Sequence, residues 1–99
     1  MKTKRDYIIK LNSILTRRVI DLHDKGYIHD FLPLRGQSFL CIQNKEKFGM
    51  DELNIIVIDQ AYDQFTRTFK YIHTIETPDG SKGLLLADFI YTTSKNMIN

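Results

Sequence analysis

His23, His29 and Asp30 lie close together in the sequence, the local concentration from which a zinc site is often built. Zinc needs convergent His, Cys or carboxylate ligands, usually in pairs at short spacing. The chain has one cysteine and no His-Glu-x-x-His run. His23 is expected at a helix end and His29 in a strand, so the pattern predicts no metal site. Cys41 and His73 have the chemistry of a nucleophile and a base. Leu40 and Ile42 flank Cys41, with no helix N-terminus beside it to lower the thiol pKa, so a buried structural cysteine is expected. His73 is expected on the core side of a strand, with its ring bonded to backbone or a side chain. Asp59 and Asp88 are expected on one sheet face with a strand between them, their backbones about 9–10 Å apart. That separation suits an acid/base pair. No pocket signal accompanies them, and solubilising surface acids are the expected reading. There is no phosphate-binding glycine loop; the five glycines are scattered at turns and at a helix end. The sequence therefore predicts no catalytic residues and no cofactor.

Charge offers a different chemistry. Residues 1–25 hold seven basic side chains against three acidic ones, and the rest of the chain holds seven against nine. A basic helix on a nearly neutral body is one way to meet nucleic acid, with Lys10, Arg17 and Arg18 as the phosphate contacts. The same charges also suit a solvated helix face, because Arg17–Asp21 and Asp21–Lys25 are spaced for i,i+4 pairing. A base-stacking surface would need exposed aromatics interleaved with Lys or Arg. Most of the aromatics, including Phe69, Tyr71, Phe89 and Tyr91, fall instead on the expected core side.

These side chains need a frame. In 99 residues, with 42% hydrophobic and 26% charged side chains, the chain has the composition of one folded domain spanning 1–99. No apolar run reaches the roughly 18 residues of a membrane span. Asp6, Lys10, Asn12 and Ser13 break up any signal-peptide core, and the lone cysteine fits a reducing compartment, so a cytoplasmic location is expected. Ile8, Leu11, Leu15, Val19 and Leu22 recur at spacings of three and four, which predicts an amphipathic helix over 6–25, stopped by Gly26. The period then changes to two. Strands are expected over 27–32, 38–43, 53–62, 68–77 and 83–92, with a loop at 44–52. Pro33 predicts that the first strand lies at an edge or ends there. Thr77-Pro78-Asp79-Gly80-Ser81 is a strong turn signal between the last two strands. The expected fold is α+β: an N-terminal amphipathic helix packed on one face of an antiparallel meander of about five strands.

Strand phase predicts which face the helix covers. Phe69, Tyr71, His73 and Ile75 point one way and form the expected helix-covered core. Ile55, Val57, Ile72, Leu84 and Leu86 fall in phase with Asp59, Lys70, Glu76 and Asp88, so they are expected on the uncovered face. That face is unusually apolar for a one-sided sheet.

Three stretches resemble a known group: Lys25-Gly26-Tyr27 followed by Asp30-Phe31, Ile58-Asp59-Gln60-Ala61-Tyr62, and Asp79-Gly80-Ser81-Lys82-Gly83-Leu84-Leu85. Together they resemble short, uncharacterised bacterial proteins often labelled phosphoribosylpyrophosphate synthetase. The chain has no loop of acidic, small and hydroxyl residues to hold a ribose phosphate, so the resemblance implies the fold and not that activity. The functional expectation is a non-enzymatic cytoplasmic protein-interaction module. It is expected to form a homodimer, or to meet a protein partner, through Ile55, Val57, Ile72, Leu84 and Leu86. A nucleic-acid-binding module using the basic helix is the alternative.

Overall fold

The computed structural model describes residues 13–93. Among these residues are one α-helix, α1 (Ser13–Asp24), and six strands: β1 (His29–Leu34), β2 (Ser38–Cys41), β3 (Lys47–Gly49), β4 (Asn54–Asp63), β5 (Thr68–Glu76) and β6 (Lys82–Ala87). The expected α+β class holds, with six strands rather than five. The extra strand, β3, and a 3-10 turn over Met50–Glu52 lie within the expected loop. The part of the expected helix before Ser13 lies outside the described residues. At its other end α1 stops as expected. Gly26 adopts φ 105°, and the Tyr27 and Gly26 amides donate to the Leu22 and His23 carbonyls at 3.1 Å each. That double bond pattern needs a left-handed residue after the helix, which glycine takes without steric cost.

The strand order is β3-β2-β1-β6-β5-β4. The meander expectation holds within each half, because β1–β2–β3 and β4–β5–β6 pair antiparallel with their sequence neighbours. It fails at the join. β3 and β4 do not pair; β1 and β6 run parallel instead, with His29, Asp30 and Phe31 opposite Gly83, Leu84 and Leu85. β1 is therefore internal rather than an edge strand. Pro33 is tolerated because β6 reaches only to Phe31, leaving β1 with β2 as its one neighbour at Pro33. Gly83 makes the parallel join possible: a Cβ there would lie 2.6 Å from both the His29 carbonyl oxygen and the Phe31 ring.

The sheet is curled. β3 and β4 are its two edges, yet residues 50–53 alone connect them. Five steps of extended chain reach about 17 Å, whereas six flat strands would put the edges about 24 Å apart. The concave face holds the larger core, built from Phe31, Phe39, Cys41, Leu53, Ile55, Ile75, Leu85 and Ala87. The residues after β6 lie across this core, and Tyr91 packs edge-on to Phe39 with ring centroids 5.3 Å apart. The convex face carries α1, whose Leu15, Val19 and Leu22 stripe packs on Ile72, Leu84, Ala61 and Leu86.

This reverses the expected assignment of faces. Ile72 and Leu84 are buried beneath the helix and Leu86 is half-buried there, while His73 and Ile75 line the concave core. Ile55 and Val57 do not share a face with the other three. Opposite β5, Ile55 pairs with Ile75 and Val57 with His73, on the concave side. A bulge at Ile58 then shifts the register, so that Asp59 pairs with Ile72 on the convex side. One extra residue moves every following side chain to the other face. The five aliphatics expected on an open interface are thus divided between the concave side and the helix-covered part of the convex face.

Both sheet edges are guarded against further strand pairing. β3 has three residues and an exposed Lys47, and its Gly49 amide donates to Glu52 Oε1 at 2.8 Å. On β4 the bulge is followed by Asp59, whose Oδ1 accepts from the Gln60 amide at 2.8 Å. Short edges, bulges, lysines and local capping are the usual means of discouraging edge-to-edge association.

Candidate functional site

Each candidate for catalytic chemistry is occupied by a structural bond. Cys41 is buried, and its Sγ lies 3.9 Å from Gln43 Oε1. His73 is fully buried, as expected for a core-side histidine. Its Nδ1 donates to the Leu85 carbonyl at 3.1 Å and its Nε2 accepts from the Tyr91 amide at 2.9 Å. With both nitrogens engaged, the ring is not placed as a base for Cys41.

The two aspartates also serve structure. Arg18 Nε donates to Asp59 Oδ2 at 2.7 Å and ties α1 to β4. This bond, the Gln60 amide and the nearby Arg18 charge hold the Asp59 carboxyl below its ordinary pKa. Asp88 pairs with Lys70. β5 does lie between β4, which carries Asp59, and β6, which Asp88 follows, but each carboxylate faces its own cation rather than the other. Arg18 is therefore committed within the chain, Arg17 is exposed, and Lys10 lies outside the described residues.

His23, His29 and Asp30 divide as well. Asp30 takes His23 Nε2 at 3.2 Å on one oxygen and Gln43 Nε2 at 2.8 Å on the other, and the Asp30 amide donates to Gln43 Oε1 at 2.8 Å. This network joins the last turn of α1 to β1 and to the end of β2, and sequence reading missed Gln43's part in it. His29, the next residue along the strand, alternates to the opposite face, where Nδ1 lies 3.2 Å from the Lys82 carbonyl. Among the described residues no group of three or more His, Cys, Asp or Glu side chains converges as a metal site.

One small recess opens on the concave side, lined by His29, Asn44, Glu46, Thr77, Asp79 and Ser81 over Phe31, Cys41 and Phe48. Its enclosed space of about 10 Å³ holds about one water molecule. Asp79 on its rim is held by the Thr77 hydroxyl and the Ser81 amide, which lower its carboxyl pKa. The recess is too small for a substrate.

Among the described residues an apolar row also stands exposed on the sheet. α1 packs over the β4–β5–β6 half of the convex face and leaves the β1–β2 half open. There Leu32 is 46% exposed and sits opposite Leu40, which is half-buried. Ile42, at 42% exposure, prolongs the same row, since its amide donates to the Asp30 carbonyl at 2.8 Å. Lys47 borders this row on β3, opposite Leu40, and Asp30 borders it on β1. Among the described residues an exposed apolar row therefore lies here, and not at Ile55, Val57, Ile72, Leu84 and Leu86, where the strand pattern placed the uncovered face. The signal was readable in the alternation Asp30, Leu32, Leu34 and Ser38, Leu40, Ile42; Pro33 and the turn at 35–37 hid its register.

The three resembling stretches fall at the end of α1 and in β1, in β4, and in the β5–β6 turn with β6. Comparison with protein-family models, with curated proteins and with solved structures gives no match. No helix among the described residues is long and apolar enough to cross a membrane.

Proposed function

We propose that this protein is a non-enzymatic association module, and that a second copy of the chain docks on the open β1–β2 half of the convex face. The observation that carries this reading is the row of Leu32, Leu40 and Ile42, exposed on the part of the convex face beside the helix-covered cluster of Ile72 and Leu84. The engagement of His73, Cys41, Asp59 and Asp88 in internal contacts supports it from the other side.

The rim favours a second copy. Lys47 stands on the β3 side of the row and Asp30 on the β1 side. A two-fold axis running along β2 between two such faces sets Leu40 on Leu40 of the second copy and each Lys47 over the second copy's Leu32, two residues along β1 from Asp30. An isologous patch with opposite charges on its two flanks is self-complementary. Multi-angle light scattering tests the reading. The wild-type chain should run as a dimer at micromolar concentration, and Leu32→Asp as a monomer with unchanged circular dichroism. A wild-type monomer at high micromolar concentration would overturn it. Salt-sensitive binding of RNA or DNA by the wild type would move the function to the basic helix instead.

A further inference from the structure

We propose that residues 88–93 form a pH-sensitive strap, which His73 holds closed over the concave core while its ring is neutral and releases when the ring is protonated. The strap leaves β6 at Asp88, where Lys70 anchors it, and turns back across the concave face. Tyr91 packs between Phe39 and His73, with ring centroids 5.3 and 5.8 Å away. The Thr93 amide then donates to the Ile55 carbonyl and Thr93 Oγ1 accepts from the Ile55 amide, both at 3.4 Å, on the outer edge of β4. The strap therefore covers both an apolar core and part of an edge strand.

The fastening to His73 works in one protonation state. The neutral ring with its proton on Nδ1 donates to Leu85 and leaves an Nε2 lone pair for the Tyr91 amide. A protonated ring carries N–H on both nitrogens, so two donors would face each other across 2.9 Å. Burial holds the His73 pKa below its ordinary value, partly opposed by the Leu85 and Tyr71 backbone groups that favour the charged ring.

β6 presents the Leu85 carbonyl, β4 places Val57 opposite, the strap presents the Tyr91 amide and ring, and β2 contributes the Phe39 and Cys41 side chains to the same core. The titratable groups among these are the Tyr91 phenol and the Cys41 thiol, with the phenol of Tyr71 nearby. Among the described residues no carboxylate pairs with the ring. Of the strap's fastenings among the described residues, the one to His73 uses an imidazole, whose ordinary pKa lies between pH 5 and 8.

The sign follows from the lowered pKa. An open-state histidine binds its proton near pH 6.5, before the closed state does. Closure is complete above that value and weakens as pH falls below it, until the closed-state pKa is reached.

Amide hydrogen exchange on the intact chain, followed by NMR and corrected for intrinsic rates, tests this. The opening equilibrium reported by the Tyr91 amide should rise by up to about tenfold per pH unit below 6.5. Amides of the β5–β6 ladder should keep their protection over the same range. Constant Tyr91 protection between pH 7.5 and 5 would overturn the proposal, and so would loss of protection throughout the sheet in step with Tyr91. His73→Gln, which does not titrate, should abolish the pH response; its persistence would refute the role of His73. If that variant does not fold, the ring-nitrogen shifts of wild-type His73 decide. They must show the Nδ1–H tautomer at pH 7.5 and a proton gained in step with Tyr91 exchange.

Discussion

Gly83→Ala tests the join on which the whole topology depends. Its added methyl carbon would sit 2.6 Å from the His29 carbonyl oxygen and 2.6 and 2.9 Å from two atoms of the buried Phe31 ring. Neither neighbour is the loose end of a flexible side chain. One belongs to the parallel β1 backbone, and the other is 3% exposed within the concave core. Forcing a methyl group into such a site costs about 1–3 kcal/mol. Alanine also restricts the unfolded chain more than glycine does, which returns about 0.4–1 kcal/mol. The net expectation is a loss of about 1–2 kcal/mol, or a drop of about 4–16 °C in melting temperature for a chain of this size. Urea unfolding followed by circular dichroism measures the loss, with an unchanged m-value showing that the same surface unfolds. A double-mutant cycle with Phe31→Leu locates it. The leucine should be less harmful in the Gly83→Ala background, with a coupling of at least about 0.5 kcal/mol, because contacting residues are not additive. A neutral or stabilising Gly83→Ala would mean that only the unfolded-state term is acting. The close parallel approach of β1 to β6 would then be wrong.

The helix face gives a second test: Leu22→Ala should cost about 2–5 kcal/mol in urea melts, because Leu22 is buried on Ile72 and Leu84. Ile72→Asp should unfold the chain, as seen in circular dichroism, since it places a carboxylate without a partner beneath α1. Arg18→Ala should cost no more than about 1 kcal/mol, because both partners of the Asp59 pair remain more than a third exposed. It should also raise the Asp59 pKa towards its ordinary value in an NMR titration. In the wild type, the stability from this pair is present above the unfolded carboxyl pKa and is lost as pH falls through the lower folded value.

Local signals were legible. The three-four spacing of Leu15, Val19 and Leu22 identified a buried helical stripe, and Gly26 marked its end. Thr77 to Ser81 marked the β5–β6 turn, where the Thr77 amide donates to the Ser81 carbonyl at 2.9 Å. Period-two alternation located five of the six strands and showed that both sheet faces were apolar. It even identified His73 as an internal histidine, because a lone histidine in an apolar strand finds its partners in the backbone.

Tertiary structure decided how those pieces combine. Alternation separates two faces without saying which one a helix covers, and here the larger apolar face closes on itself by curling while α1 takes the smaller. The bulge at Ile58 inserts one residue that no local pattern marks, and it moves Asp59 to the helix side, within reach of Arg18. The parallel pairing of β1 with β6 joins residues more than fifty apart in sequence. It depends on the absent side chain of Gly83 making room for Phe31, a fit between distant residues that strand periodicity does not encode. Register and closure are long-range choices, so the sequence by itself defined the helix stripe, the turns and the strand phases. Only packing determined that Ile72, Leu84 and Ile55 lie inside the molecule and that Leu32 and Ile42 remain on its surface.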